Sequence, residues 1–325
     1  MRIGYAPWGE TLGELVDAAV RAERAGADTL WVSELHRSAT VTAAAVAART
    51  ERARIGTAVA LAFARSPLVT ALEALDLDEL SGGRLVLGLG SGVRRLIEDW
   101  HGQPFEGPVG RMRDTVEIIR LVVASAHTGE PLLHEGARRS LRMRGYRRPE
   151  PVRTRIPVHL AAVGPAMTAL AGEIADGWIS HELGSPRYLA ERIAPGLAAA
   201  GRTPEIVVSA CCSIDPDPAA ARRAAAGTVG FYASVRTYAD FFAFHGFAGE
   251  HAAVGAAFRA GLPPDVPEEM AAALTLSGDP EEVAEGVRAY AGTASSIKLA
   301  PPVHGLEPER TRRAQDRIID LIGAL

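Results

Sequence analysis

The feature that most limits the fold of this chain is a repeated alternation of short apolar segments with helical patterns. Two of these segments, TLWV (29–32) and LVLGL (85–89), are largely apolar and do not alternate apolar with polar residues. Parallel strands covered by helices on both faces have this composition, whereas half-exposed strands alternate apolar and polar residues. Eight such segments, each followed by a helical pattern, predict an α/β fold of the (β/α)8 TIM-barrel type.

The predicted elements run along the whole chain. Thr11 begins the first helix, with Glu14 three residues later as in a capping box, and Gly26 ends it. Strands are predicted at 2–8, 29–32, 55–59, 85–89, 157–162, 177–180, 205–214 and 295–300. Further helices are predicted near 41–50, over 67–80 and 111–126, from 165, near 186–200, within 217–275, from 280 and over 308–324. We therefore expect one domain over residues 1–325, with insertions after strand 4 and a helical insertion after strand 7.

A doubly wound sheet is the main alternative arrangement of eight parallel strands. A dinucleotide-binding domain of that type carries G-x-G-x-x-G directly after its first strand. Here the first strand ends in Ala6-Pro7-Trp8-Gly9, and the nearest glycine-rich run, GLGSG (88–92), follows the fourth strand with a different spacing. The pattern favours the barrel.

Composition excludes several classes of function. The formal net charge is −4, so the chain has no general attraction for nucleic acid or acidic membranes. The start of the chain does not resemble a signal peptide, and the adjacent Cys211 and Cys212 are badly placed for a disulfide with each other, which together predict a cytoplasmic protein. The histidines lack metal-ligand spacing, so no metal site is predicted. The chain also lacks a nucleophile elbow, which suggests that a cofactor carries the chemistry.

Residues that follow the strands are candidates for the active site, because barrel enzymes use the carboxyl ends of their strands. Gly90-Ser91-Gly92 can form an anion-binding nest or a simple tight turn. Val163-Gly164-Pro165-Ala166 begins a helix, where free N–H groups favour a phosphate. Arg94 and Arg95 can neutralise an anion or pair with Glu98 and Asp99. Two such turns in one barrel favour a phosphorylated cofactor.

Titratable side chains follow two of the strands. Glu34 and His36 come after the second strand and are candidates for a proton donor or substrate contact; the alternative is a loop ion pair, for example with Arg37. His181 and Glu182 follow the sixth strand and have the same two interpretations. The arginine-rich stretch 138–148 is interpreted as a solvated hairpin, since the rest of the chain is acidic.

The chain resembles the bacterial luciferase-like superfamily, in particular its coenzyme F420-dependent branch, to which methylenetetrahydromethanopterin reductases belong. The resemblance rests on RIGYAPWG, ERAGADTLWVSE, RIGTAVALAFARSPL, LDELSGGRLVLGLGSGVRRLIEDWHG, AAVGPAMTALAGEIADGWIS and SSIKLA, which follow one another in the family order. It implies a cytoplasmic oxidoreductase that transfers hydride between the deazaflavin C5 and a small organic substrate. It also implies a homodimer formed through the second and third helices.

The resemblance also implies roles for particular residues. A non-prolyl cis peptide at Ala58–Val59 would support the cofactor ring from behind, and Ser180 would lie beside the ring. Glu34 matches an acidic position of the family, but Leu35 separates it from His36 where many relatives have an adjacent Asp-His pair. The residues implied to bind the cofactor are Ala58, Val59, Gly90, Ser91, Gly92, Val93, Val163, Gly164, Pro165, Ala166 and Ser180.

Three alternatives stay open at this point. Some family members use FMN and oxygen as monooxygenases on the same scaffold. A non-catalytic flavin-binding barrel and a phosphate-sugar isomerase barrel are further possibilities. The helical stretch 217–275 corresponds to the most variable part of the family, so the substrate does not follow from the resemblance.

Overall fold

The structure, a computed structural model, describes residues 1–262 and 265–325. Positions 263 and 264, which belong to the predicted helical stretch 217–275, lie outside the described residues. The described strands are β1 (Arg2–Tyr5), β2 (Thr29–Val32), β3 (Arg54–Thr57), β4 (Ala60–Leu61), β5 (Leu85–Gly90), β6 (Leu132–Glu135), β7 (Ser140–Met143), β8 (Val158–Ala161), β9 (Gly177–Ile179), β10 (Glu205–Ile214), β11 (Leu276–Gly278) and β12 (Ser296–Ala300).

The helices alternate with these strands. They are α1 (Leu12–Ala25), α2 (Ala39–Ala47), α3 (Pro67–Leu80), α4 (Pro108–Ser125), α5 (Pro165–Ile174), α6 (Pro186–Tyr188), α7 (Ala194–Ala198), α8 (Pro218–Ala233), α9 (Ala239–Phe244), α10 (Ala248–Arg259), α11 (Glu268–Leu274), α12 (Pro280–Arg288) and α13 (Pro308–Ala324). Leu96–Trp100 and Leu189–Ile193 are π-helical turns, and Arg236–Tyr238 is a 3₁₀ turn. None of the described helices combines the length and the apolar character that crossing a membrane requires.

Several predicted elements differ from the structure. The third strand is interrupted at residues 58–59 and continues as β4. The arginine-rich hairpin consists of β6 and β7 and so begins before residue 138, the predicted start. The predicted helix at 186–200 is divided by the π turn, and the short strand β11 was not predicted at all. At the start of α1, Thr11 caps Glu14 N–H, but the Glu14 carboxylate accepts from Glu10 N–H, so the predicted capping box is incomplete.

The described residues group into two compact units. The first comprises residues 1–30, 180–196 and 205–325. In this unit β12 pairs in parallel with β1 on one side and with β10 on the other, and β10 also pairs with β11. Tyr5 at the end of β1 donates to Gln315 of α13 at 2.7 Å, which ties the sheet to the last helix.

The second unit comprises residues 31–179 and 197–204. Its strands β3, β4, β8 and β9 join β5 in a parallel arrangement, in which β5 pairs with β3, β4 and β8, and β8 pairs with β9. Thr57 Oγ1 donates to Gly88 O at 2.7 Å and accepts from Gly88 N–H at 2.9 Å, which fixes β3 against β5. Because the strands named in each of these two sheets are parallel, their carboxyl ends lie at the same edge of the sheet.

Candidate active site

The peptide bond between Ala58 and Val59 is cis, as the resemblance implied. The end of β2 holds both sides of this bond. Ala58 N–H donates to Val32 O at 2.7 Å, and Val59 O accepts from Glu34 N–H at 3.1 Å. Both residues are only partly buried.

The Glu34 side chain also binds this segment. Its carboxylate accepts from Leu61 N–H at 2.7 Å and from both terminal nitrogens of Arg65, with Nη1 at 3.1 Å. The carboxylate is 11% exposed, and its ion-pair partner is Arg65 rather than the Arg37 suggested above. Glu73 is a second carboxylate near Arg65, with Oε2 3.8 Å from Arg65 Nε. Burial raises the pKa of Glu73; the charge of Arg65 acts against this increase, and the charge of Glu34 adds to it.

This arrangement bears on the two proposed acid–base residues. Both oxygens of Glu34 are engaged in holding the 58–61 segment, which gives this side chain a positioning task. His36, two residues further along the chain, is exposed. A proton-donor role for either residue stays a prediction.

The end of β5 forms a turn with little side chain. Gly92 has φ of +68°, a left-handed conformation that favours glycine. A Cβ on Gly90 would lie 2.6 Å from Val59 Cγ2, so only glycine lets β5 approach the cis segment this closely. Ser91 Oγ donates to Gly92 O at 3.0 Å, and the Val93 side chain is 38% exposed. The turn can therefore accept a ligand close to its backbone.

The beginning of α5 offers uncapped N–H groups. Gly164 is the N-cap residue and supplies no side chain, while Pro165 occupies the first turn. Gly164, Pro165 and Ala166 are exposed, Val163 is partly buried, and a Cβ at Gly164 would meet open space. Exposed backbone donors at the positive end of a ten-residue helix fit a phosphate or carboxylate.

The two arginines after β5 are paired with acidic residues. Arg94 contacts Glu98 at 2.7 Å and Arg95 contacts Asp99 at 3.5 Å, both one helical turn apart and largely exposed. The sequence left open whether these arginines neutralise an anion or pair with Glu98 and Asp99, and in the structure they form the ion pairs.

In the first unit, His181 lies among aromatic rings after β9. Its ring centroid is 4.6 Å from that of Phe241, 4.9 Å from Tyr238 and 5.4 Å from Tyr232. Burial, with a smaller contribution from His245, lowers the pKa of His181 to about 3. Nδ1 accepts from Leu183 N–H at 3.3 Å, so the neutral ring carries its proton on Nε2. Nε2 is thus a hydrogen-bond donor at neutral pH.

Ser180 and Glu182 flank this histidine. Ser180 Oγ donates to His181 O at 2.7 Å and accepts from Ser209 N–H at 2.7 Å, so its hydroxyl ties the 180–181 backbone to β10. Glu182 Oε1 lies 3.5 Å from Nζ of Lys298, whose side chain is 5% exposed.

Two tyrosines that the sequence pattern did not single out complete the cluster. Tyr232 Oη accepts from Glu182 N–H at 3.4 Å. Burial, followed by the charge of Glu182, raises the pKa of Tyr238 to about 12 and that of Tyr232 well above its usual value. Both tyrosines lie in the variable helical stretch, and no sequence pattern there distinguishes the aromatic residues of the site from the other aromatic residues.

One group of possible metal ligands exists within residues 1–262 and 265–325. It comprises Asp114, Glu117 and His134, whose ligand atoms lie within 4.8 Å of one another. Asp114 Oδ2 already accepts from the backbone N–H groups of Arg138 and Arg139 at 2.6 and 2.8 Å. Acidic groups of this kind are common without a metal, and we assign none to it.

Comparison with known proteins gives one family. The profile of the Luciferase-like monooxygenase family matches residues 2–296. An uncharacterised protein of Mycobacterium tuberculosis is 33% identical over 293 residues, 85% of this chain and 86% of that protein. A putative coenzyme F420-dependent oxidoreductase of the same organism is 40% identical over 195 residues, covering 55% of this chain and 54% of its own. The 5,10-methylenetetrahydromethanopterin reductase of Archaeoglobus fulgidus is 30% identical over 301 residues, covering 86% and 87%.

Solved structures confirm the predicted fold class. The coenzyme F420-dependent tetrahydromethanopterin reductase of Methanopyrus kandleri matches with a TM-score of 0.76 and 22% identity over 99% of this chain and 98% of that one. The FMN-bound oxygenating constituent of 3,6-diketocamphane monooxygenase from Pseudomonas putida matches with a TM-score of 0.70 and 19% identity, covering 100% and 98%. The fold is a (β/α)8 barrel of this type, with β1, β2, β3, β5, β8, β9, β10 and β12 as the barrel strands.

Proposed function

This chain belongs to the luciferase-like monooxygenase family, and from that premise we propose that it is a coenzyme F420-dependent oxidoreductase. Membership of the family supports an enzymatic redox function. The reaction we propose is hydride transfer between the deazaflavin C5 and a small organic substrate. Support for this choice comes from a relative named as a putative coenzyme F420-dependent oxidoreductase, which is 40% identical over 55% of this chain.

The observation that carries the proposal is a pair of glycine-containing turns after β5 and β8, whose backbone N–H groups are suited to an anion. The turn Gly90-Ser91-Gly92-Val93 and the uncapped start of α5 at Val163-Gly164-Pro165-Ala166 would hold the phosphate-bearing tail of the cofactor. Ala58 and Val59 would contact the ring. The bound deazaflavin would supply a two-electron hydride donor or acceptor, which the protein's side chains cannot provide.

The remaining residues have positioning or proton-transfer roles in this proposal. Glu34 and Arg65 hold the cis segment, and Ser180 stays a predicted ring-side residue although its hydroxyl is already engaged. His36 is the exposed candidate for proton transfer to or from solvent. A cytoplasmic location and a homodimer formed through α2 and α3 belong to the same proposal.

An anaerobic turnover assay tests this function. Reduced F420 is incubated with the protein and a panel of ketones, aldehydes, imines and activated alkenes, and the return of oxidised deazaflavin is followed by absorbance. Oxidation that requires both the protein and a panel member supports the proposal. Oxidation of F420 with no panel member, or none at all, contradicts it.

FMN is the second candidate cofactor, since a structural neighbour was solved with FMN and the family profile is named for monooxygenases. The matching assay supplies reduced FMN, oxygen and the same panel. Oxygenated products formed in this assay alone would assign the protein to the monooxygenases. A protein that binds neither cofactor would be the non-catalytic barrel.

A further inference from the structure

The side chain of Lys298 is the most unusual charged group in the molecule. It is the only lysine in the sequence, it lies within strand β12, and it is 5% exposed. An ammonium group carries three N–H donors, and a buried charge is costly unless those donors are satisfied. Among the residues that the structure describes, Glu182 Oε1 is its single hydrogen-bond partner, at the long distance of 3.5 Å.

Other polar groups near this lysine are also unsatisfied. Ser209 pairs with Lys298 in the β10–β12 register, so the two side chains project to the same face of the sheet. Within the described part of the chain, the buried hydroxyls of Ser209 and of Ser296, two residues before Lys298, have no hydrogen-bond partner. Buried polar groups in native proteins are almost always paired, so this cluster lacks a partner that would complete it.

The surrounding groups define what that partner must be. Lys298 offers free N–H donors, and His181 Nε2 and the hydroxyls of Tyr232 and Tyr238 are donors that keep their protons at neutral pH. Glu182 is the one carboxylate of the cluster and opposes the binding of a second anion. The site therefore favours a neutral oxygen acceptor attached to an apolar body, which the rings around His181 would contact.

We propose that Lys298 and Glu182 form a binding site for a neutral carbonyl or hydroxyl compound with an apolar body, whose oxygen atom they hold. The site lies within the first unit, so the binding it predicts does not depend on which cofactor the protein uses. Lys298 Nζ would donate to the ligand oxygen, while Glu182 holds the lysine side chain in place.

Because Lys298 is the only lysine, NMR can test this binding site without measuring turnover. Protein grown with isotope-labelled lysine gives one lysine side-chain signal. The cofactor-free protein is titrated with acetone, isopropanol, cyclohexanone and cyclohexanol, and with cyclohexane as the ligand of matched shape that lacks oxygen. We expect a saturable shift of the Lys298 signal with at least one ketone or alcohol and no comparable shift with cyclohexane.

Variants identify the group that binds the oxygen. Lys298→Met should weaken binding of the responding compound roughly ten- to hundredfold, as expected for the loss of a charged hydrogen bond, in a saturation-transfer measurement on the ligand. Arg317→Met is the matched control, because it removes a cation paired with Asp215 in the same unit. Its ligand affinity should equal that of the wild type.

The outcomes separate this proposal from the proposed function. No shift with any compound, an equal shift with cyclohexane, or unchanged binding to Lys298→Met would overturn the oxygen site. F420 binding is measured in parallel on both variants. A lysine signal that responds in a protein with no affinity for F420 keeps the oxygen site and rejects the cofactor, and the reverse result rejects the oxygen site alone.

Discussion

Two buried ion pairs, one in each unit, differ in how completely their charges are satisfied. The Glu34 carboxylate is 11% exposed and accepts three hydrogen bonds, two from Arg65 and one from Leu61 N–H. The Lys298 side chain is 5% exposed, and within residues 1–262 and 265–325 its ammonium has one hydrogen bond, of 3.5 Å, to Glu182. A satisfied pair of this kind fixes a backbone segment, whereas a pair with spare donors is suited to a ligand.

The largest expected difference is in stability. Arg65→Met leaves the Glu34 carboxylate buried and unpaired, which should lower the free energy of unfolding by about 3–5 kcal/mol. Lys298→Met should lower it by less than about 1 kcal/mol, because the bond it removes is long and Glu182 can hydrate. Urea unfolding of the two variants measures both values. Equal losses would show that the Lys298 pair is also structural.

The pH dependence of stability tests whether His181 in the first unit is buried in its neutral form. Its pKa is about 3 in the folded protein against 6.5 for an ordinary histidine, so between these pH values the unfolded state binds a proton that the folded state does not. The free energy of unfolding should therefore decrease as the pH falls through this window, by up to ~1.4 kcal/mol per pH unit. His181→Phe should remove that part of the pH dependence in urea unfolding. Parallel pH profiles for the variant and the wild type would contradict a buried neutral histidine.

The first turn of α5 is a second place with backbone donors that lack a side-chain cap. A substitution at Gly164 can supply the missing acceptor. Gly164→Asp introduces an N-cap carboxylate into open space, which should stabilise the helix by about 0.5–1 kcal/mol and repel a bound phosphate. We expect F420 affinity to fall about tenfold, equivalent to about 1.4 kcal/mol. Gly164→Asn caps the helix without charge and is the control, with a smaller loss. Equal affinity in the wild type and Gly164→Asp would place the cofactor phosphate elsewhere.

The smallest effect is expected for an exposed ion pair. Arg94 and Glu98 are 61% and 39% exposed and lie one helical turn apart. Arg94→Met should change the free energy of unfolding by about 0.5 kcal/mol or less. Its F420 affinity should also be close to that of the wild type if the arginine serves only this pair. A large loss of affinity would assign Arg94 to the cofactor tail.

The barrel elements could be predicted from the sequence because their signals are local. The bounds of α3 (67–80) and α13 (308–324) match the prediction, since each helix has proline in its first turn. The strands β2 and β10 also match. The break after β3 was missed as a strand boundary, because a run of apolar residues does not show where pairing stops.

The candidate site was only partly predictable. The turns after β5 and β8 could be predicted from their glycine and proline residues, and the cis bond was predicted from the family resemblance. The pairing of Glu34 with Arg65, 31 positions apart, is set by tertiary packing, whereas the alternative considered from the sequence was an ion pair within the loop, for example with Arg37. Lys298 was conspicuous as the only lysine, but its burial and its pairing with Glu182, 116 positions away, are set by tertiary packing.

The most direct test of the account is a fluorescence titration of the purified protein with oxidised coenzyme F420 and, separately, with FMN. The account predicts saturable, micromolar-range binding of F420, weaker binding of FMN, and loss of F420 affinity in Gly164→Asp. Preference for FMN would contradict the deazaflavin assignment and move the protein to the monooxygenases of its family. Binding of neither would contradict a cofactor site at these turns.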